Sequence, residues 1–249
     1  MRARAQAWHA DGVHSDAATC PAPARVTAVV PARNEAARVG ATVTELRRWV
    51  DEVVVVDDAS DDATGAAAQA AGARVVRNET RFGYVRSVQR GFAAASGDVV
   101  VTVDADGEMA VERIPALVAP VLAGTADIVQ GHRDHVPRWS ERIVTGVARL
   151  GGPVGDSGTG FRAMRRDLAT SLVVRGSCIC GSLALDALDR GARISEVPVR
   201  ARTIHRPRRI AWNHSGQLLV VAGMVARRRL RGAARRLRGA AQRLRPSGR

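Results

Sequence analysis

From residue 25 the chain repeats one pattern: a short, nearly unbroken β-branched run, then a longer stretch whose apolar residues recur at helical spacing. Residues 25–32 (RVTAVVPA) read as a buried strand. Residues 35–50 (EAARVGATVTELRRWV) read as an amphipathic helix with Val39, Val43, Leu46 and Val50 on one stripe. EVVVVDD at 52–58 predicts a second strand, followed by an alanine-rich helix to about Gly72. A third strand is expected at 73–77, a helix at 84–95 and a fourth strand at 98–104. Strands alternating with helices in this way need right-handed crossovers, which lay the strands parallel. The expected class is α/β, doubly wound in its first half, with a mostly parallel central sheet flanked by helices. The second half is less regular. It predicts a strand at 127–132, a helix at 138–150, a glycine-rich loop (GGPVGDSGTGF), a helix near 181–191 and an extended RISEVPVRAR.

Ligands of such sheets collect outside the carboxyl ends of the strands, so the polar residues there matter most. They are Arg33, Asn34 and Glu35 after the first strand, Asp57 and Asp58 after the second, and Asp104 and Asp106 after the fourth. Residues i and i+2 of a strand face one side. Asp104 and Asp106 are therefore able to converge on one cation, with Glu108 offering a third oxygen. Hard oxygen donors without His or Cys favour Mg2+ or Mn2+ over zinc. A solvated turn with an Asx cap would use the same residues. The position after VVVTV and the matching Asp57/Asp58 pair favour the metal.

Composition adds an asymmetry. All 38 basic residues are Arg, and fifteen of them follow Glu196, after which there is no Asp or Glu. The formal net charge of +14 thus belongs to the last fifth of the chain, while the remainder is close to neutral. Within 229–245 the unit LRGAARR-LRGAAQR-LR repeats, placing Leu230, Leu237 and Leu244 seven residues apart beside dense Arg. Gly232 and Gly239 each weaken a helix by roughly 1 kcal/mol, so this segment is expected to order only on a surface. An anionic membrane is the favoured surface. Nucleic acid is disfavoured, because no aromatic interleaving accompanies the Arg.

The expected organisation is a disordered leader at 1–24, one domain at 25–205 and a basic amphipathic tail at 206–249. The leader has no apolar core of a secretory signal, and the longest apolar run near the C-terminus, LLVVAGMVA, is well short of the ~20 residues of a spanning helix. A cytoplasmic protein, peripheral on the inner face of the cell membrane, is expected. Cys20, Cys178 and Cys180 are too few and too badly spaced for a disulfide framework or a four-ligand zinc site, and the six scattered His, without HxxxH or HxH pairing, are not expected to build a metal site. Buried thiols are the expectation, and Trp8, Trp49, Trp139 and Trp212 are expected to pack.

Five segments, VVPARNE (29–35), VVVDDASD (54–61), FGYVRSVQRGFAAASGDVVVTVDADG (82–107), DSGTGFR (156–162) and SEVPV (195–199), occur in an order and spacing that resembles the family 2 glycosyltransferases of GT-A fold. The branch most similar contains the dolichyl- and polyprenyl-phosphate mannosyltransferases, and the resemblance covers roughly residues 25–205. It implies that Pro31, Arg33 and Glu35 form a nucleotide-contacting loop and that Asp57 and Asp58 contact the base and ribose. It implies that Asp104 and Asp106 bind the metal, with Glu108 near it, and that Arg81, Arg133 and Arg202 join the nucleotide-sugar contacts, the last two at the phosphates. Asp156 to Arg162 would line the acceptor side.

The implied reaction is metal-dependent, inverting transfer of a sugar from a GDP- or UDP-sugar to a polyprenyl phosphate. Two departures bear on the acceptor. Relatives acting on hydroxyls carry a carboxylate base near the start of a late helix, where this chain has SCICGSLALD, with Cys178, Cys180 and Ser182. A phosphate acceptor is already anionic near neutrality and needs no base. The alternatives are a hydroxyl acceptor with Asp156 as base, a nucleotidyltransferase, or a degenerate membrane- or nucleic-acid-binding protein. After EVPV the chain reads RARTIHRPRRIAW, basic but without the branch's usual Ser-Lys.

Overall fold

The computed structural model describes residues 23–136, 139–200 and 214–243, with side chains of the last helix described to residue 238. Seven strands form one sheet: β1 (Val26–Ala32), β2 (Glu52–Asp57), β3 (Arg74–Arg77), β4 (Val99–Thr102), β5 (Ile128–Arg133), β6 (Arg162–Arg165) and β7 (Ile194–Val199). Their order is β3-β2-β1-β4-β6-β5-β7. Four pairings are parallel, and β6 runs antiparallel to both β4 and β5. The expected α/β class with a mostly parallel sheet flanked by helices is what forms.

Alternation along β1 explains the layering. Val26, Ala28, Val30 and Ala32 enter one core cluster, while Val29 enters the other. Every residue of β1 is buried because helices cover both faces. Helices α1 (Ala36–Leu46) and α4 (Ile114–Leu122) cover one face with Val39, Val43, Leu46, Ile114, Leu117 and Val118. Helices α3 (Tyr84–Ala94), α6 (Arg166–Ser171) and α7 (Ser182–Asp189) cover the other with Val88, Phe92, Leu168 and Leu183. Gly91 permits the close approach of α3: a Cβ there would overlap Val29 and crowd Val56. Helix α2 (Thr64–Ala70) packs on α1.

A third cluster joins α5 (Trp139–Arg149), α7 and α8 (His214–Arg243). The 30 residues of α8 make it about 45 Å long. Its beginning is part of the domain core: His214, Gln217, Val221, Met224 and Val225 are buried against α5 and α7. The segment expected as a tail therefore contains a docked half. Continuous helix to Arg243 also differs from the expectation of order only on a surface. The docked half supplies the nucleus, and propagation from it is far easier than nucleation, which offsets Gly232 and Gly239. Arg228 and Arg229 extend the docking by donating from Nε to the last carbonyls of the α5 end, Gly151 O at 2.7 Å and Leu150 O at 3.1 Å. Trp139, expected to pack, is 75% exposed. No helix among the described residues is long and apolar enough to cross a membrane.

Candidate active site

The chain winds outward from β1 through β2 to β3, then returns through α3 to place β4 on the other side of β1. The strand order thus reverses between β1 and β4, and the crevice outside their carboxyl ends is where a doubly wound sheet binds ligands. Two loops meet there, Arg33–Asn34–Glu35 after β1 and Val103 to Glu108 after β4.

The β1 loop is pinned from the neighbouring β2 loop. Asn34, at φ 55°, adopts the left-handed conformation, and its N–H donates to Ser60 Oγ at 3.0 Å while its Oδ1 accepts from Asp61 N at 2.9 Å. Ala59, at φ 52°, is left-handed too. Non-glycine residues at positive φ carry about 1–2 kcal/mol of strain, so two of them at adjacent strand ends mark loops whose shape is enforced. Arg33 reaches Asp61 at 3.4 Å, and its Nε is buried without a hydrogen-bond partner. Glu35 accepts from Arg38 at 2.6 Å. Pro31 lies not in this loop but within β1, buried and in register with Val56.

The acidic pair after β2 turns inward. Asp57 is fully buried, its Oδ1 accepting from Ser60 N at 3.0 Å and its Oδ2 from Arg77 at 3.3 Å. Asp58 accepts from Asn78 Nδ2 at 2.7 Å and from Phe82 N and Gly83 N at 2.8 Å. Burial opposes charge on Asp58, but these donors outweigh it and lower its pKa. In the structure Asp57 shapes the β2 loop and Asp58 ties it to the start of α3. Arg81 stands exposed beside that junction, and Arg202 lies outside the described residues.

At the end of β4, Asp104 and Asp106 are half-buried on either side of buried Ala105, whose carbonyl accepts from Thr42 Oγ1 at 3.1 Å. Tyr84, the chain's one tyrosine, donates from its hydroxyl to Asp104 Oδ1 at 2.9 Å. Burial pushes the Tyr84 phenol well up, and the charge of Asp104 adds to this. Beneath Asp104 runs the turn into β6, where Gly160 comes so close that a Cβ would collide with the Asp104 carboxylate. Thr102 Oγ1 donates to Gly160 O at 2.7 Å, and Thr102 pairs with Arg162 across the sheet. The antiparallel strand β6 is what brings the DSGTGFR segment against the aspartates.

Asp106 Oδ1 accepts from Glu108 N at 3.0 Å. Among the described residues the ligand atoms of Asp104, Asp106 and Glu108 do not all lie within 4.8 Å of one another. Two half-buried carboxylates at the crevice still fit Mg2+ or Mn2+, which take one or two carboxylates and complete their shell with water and phosphate oxygens.

On the acceptor side the GGPVGDSGTGF loop is anchored through Asp156. Asp156 accepts from Arg133 Nε at 2.8 Å and Nη2 at 3.0 Å, and Arg133 Nη2 also donates to Glu141 at 2.9 Å. All three residues are buried. Burial would raise the Asp156 pKa, yet the hydrogen bonds and charge of Arg133 outweigh it and hold it low. Burial likewise opposes charge on Arg133, and Asp156 and Glu141 reverse that effect and keep it firmly protonated. Arg133 is thus paired with two buried carboxylates. Glu196 on β7 accepts from Asp156 N and lies 3.2 Å from His132 Nδ1. Arg162 is fully buried, donating to Ser157 O at 2.8 Å and Gln130 Oε1 at 3.2 Å, while its Nη1 has no partner. A cavity of about 440 Å3 opens beside this group, lined by His132, Arg142, Ile143, Thr145, Arg149 and Asp156 among others.

Tyr84, Glu141 and Glu196 were not singled out from the sequence. The lone tyrosine opening the helix after FG was a usable signal for the first. Nothing local marks the two glutamates.

The profile of glycosyl transferase family 2 matches residues 27–170. The dolichyl-phosphate hexose transferase of Haloferax volcanii is 33% identical over 183 residues, 68% of this chain and 79% of that protein. The undecaprenyl-phosphate mannosyltransferase of Micrococcus luteus is 31% identical over 203 residues, 70% of this chain and 82% of that protein. Among solved structures, glucosyl-3-phosphoglycerate synthase from Mycobacterium tuberculosis, in complex with Mn2+, UDP-glucose and phosphoglyceric acid, superposes with a TM-score of 0.70 at 27% identity. That likeness covers 82% of this chain and 80% of the synthase chain.

Proposed function

The chain belongs to glycosyl transferase family 2, and from that premise we propose that it transfers a hexose from a GDP- or UDP-sugar, with inversion, to a polyprenyl phosphate. The nucleotide occupies the crevice between the β1 and β4 ends. There Arg33, with its partnerless buried Nε, meets an oxygen of the ribose or diphosphate. Asp104 and Asp106 would hold Mg2+ or Mn2+, which supplies a Lewis acid for the departing diphosphate. Tyr84 fixes the orientation of Asp104 by its hydroxyl, and Gly160 leaves that carboxylate room.

The observation that carries the acceptor class is the state of Asp156. A general base must have a pKa near the working pH and an open path to the acceptor proton. Asp156 has a lowered pKa and both oxygens engaged by Arg133. It suits anchoring, not proton abstraction, and a phosphate acceptor asks for no base. The adjoining cavity presents His132, Arg142 and Arg149, a lining matched to an anionic acceptor.

A membrane-borne acceptor is supported by the surface of α5 and α8. Trp139 and Ile143 on α5, Leu150 just after it, and Leu219, Leu230 and Leu237 on α8 are exposed among arginines, the composition of an element that lies in a headgroup layer. The likeness to glucosyl-3-phosphoglycerate synthase favours a second reading, a small phosphorylated acid as acceptor in the same basic cavity.

The test offers labelled GDP- and UDP-hexoses with Mn2+ or Mg2+, and either polyprenyl phosphate in vesicles or 3-phosphoglycerate. Lipid-linked hexose of inverted configuration is expected. Transfer to 3-phosphoglycerate alone, or to neither acceptor with every common donor, refutes the lipid reading.

A further inference from the structure

Away from the aspartates, the loop before α7 and the first turn of α8 bring together three soft donors. The Sγ atoms of Cys178 and Cys180 and a ring nitrogen of His214 all lie within 4.8 Å of one another, and all three residues are buried. We propose that Cys178, Cys180 and His214 bind one Zn2+, a site separate from the carboxylate metal site of the sugar donor.

Distances are close to what a tetrahedral ion requires. With Zn–S near 2.3 Å and Zn–N near 2.0 Å, ligand atoms sit roughly 3.5–3.8 Å apart. Cys180 Sγ and His214 Nε2 are 4.0 Å apart, so a contraction of about half an ångström completes that edge.

The surroundings orient each ligand. His214 Nδ1 lies 2.8 Å from Ser140 Oγ, which occupies that nitrogen and leaves Nε2 facing Cys180. Partners of this kind, bonded to the other ring nitrogen, are what fix metal-binding imidazoles. Cys180 N–H points at Cys178 Sγ at 3.3 Å. Gln217, fully buried one turn beyond His214, accepts from Ser177 N at 3.1 Å and Cys178 N at 3.4 Å and donates to Cys180 O at 2.9 Å. The helix that delivers the histidine thereby also grips the loop that delivers the thiols.

Charge selects the ion. The cluster lies among Val144, Ala148, Val154, Ala184, Leu185 and Val221, where an uncompensated charge is costly, and the opposite charges of Glu141 and Arg162 also reach Cys178. Two thiolates and a neutral imidazole make a neutral complex with a divalent ion, the two thiol protons leaving to solvent on binding. Thiolate and imidazole donors suit Zn2+ and not Mg2+. Three protein ligands leave the fourth position for water or another donor. Bound zinc would rivet the start of α8 to the acceptor-side loop. Sequence spacing hid this, because the histidine lies 34 residues after Cys180.

The test uses the full chain, purified with a reductant and stripped by chelator. Titration with Co2+ should show one equivalent carrying a sulfur-to-cobalt charge-transfer band and tetrahedral visible bands, both erased by one equivalent of Zn2+. Cys178→Ser and Cys180→Ser should each abolish the charge-transfer signature of the pair, and Ser140→Ala should weaken Zn2+ affinity about 10–100-fold. Cys20→Ser and Asp104→Asn should keep the band, which separates the site from the leading cysteine and from the aspartates. Absence of the band in the stripped wild-type protein overturns the proposal without reliance on any variant. So does its full retention in both Cys178→Ser and Cys180→Ser, or a Cys178–Cys180 disulfide that persists under the reductant.

Discussion

Replacing Asp156 with Asn removes one charge from a buried trio. Arg133 and Asp156 are 7% and 4% exposed at the side chain, and they share two hydrogen bonds of 2.8 and 3.0 Å. Removing one partner of such a pair typically costs about 3–5 kcal/mol, because the remaining charge stays buried. Glu141 still faces Arg133 at 2.9 Å and neutralises part of it, which places the loss near the lower end, about 3 kcal/mol. For a chain of this size that lowers the melting midpoint by about 6–12 °C. Thermal and urea unfolding measure it, and a double-mutant cycle with Arg133→Met should return a coupling of about 1–3 kcal/mol. The pH dependence has a definite sign. Because the folded pKa of Asp156 is depressed, its contribution is present above the unfolded pKa and is lost as pH falls through the folded value. Asp156→Asn should flatten that acid limb. An Asp156→Asn protein as stable as wild type but unable to turn over would refute the anchoring role and restore Asp156 as a chemical base.

Gly160→Ala should sharply reduce transfer by pushing Asp104 aside, while the unfolding midpoint in urea changes little, since the colliding group is a side-chain end; unchanged kcat/KM would contradict the placement of Asp104. Tyr84→Phe removes one hydrogen bond to a carboxylate, worth about 1.5–3 kcal/mol, and a 10- to 100-fold fall in kcat/KM is expected from steady-state assays. Asp127, beside Arg193 at 2.9 Å, has its pKa held down from 3.8 to about 2 by the hydrogen bond from Arg193. Its stabilisation is present above pH 3.8 and vanishes as pH falls towards 2, so Asp127→Asn should show a shallower acid loss than wild type in urea titrations across that window.

The first half of the fold was legible because its strands are β-branched runs and its first helix carries a stripe at 3.6-residue spacing. Val39, Val43 and Leu46 lie where the periodicity puts them. Strand β6 was not legible: RAMR has no alternation, and its Arg162 is fully buried by partners far away in sequence. The docked half of α8 was hidden for the related reason that its buried face opens with a polar histidine and glutamine, His214 and Gln217, ahead of Val221, Met224 and Val225. At the candidate site, residue types at strand ends pointed to the crevice outside β1 and β4, but not to how each carboxylate is turned. Asp57 and Asp104 both follow valine-rich strands, and only tertiary contacts turn the first onto Arg77 and the second onto Tyr84.

The central claim is that Asp104 takes part in holding a divalent ion against a nucleoside diphosphate in the β1–β4 crevice. Calorimetric titration of GDP and UDP into the protein, with and without Mn2+, in wild type and Asp104→Asn, tests it most directly. Mn2+ should tighten binding of one nucleotide at least ~10-fold in wild type, a gain of 1.4 kcal/mol or more, and Asp104→Asn should lose this gain while keeping the metal-free affinity. Equal affinity with and without Mn2+, or an undiminished Mn2+ effect in Asp104→Asn, would contradict it.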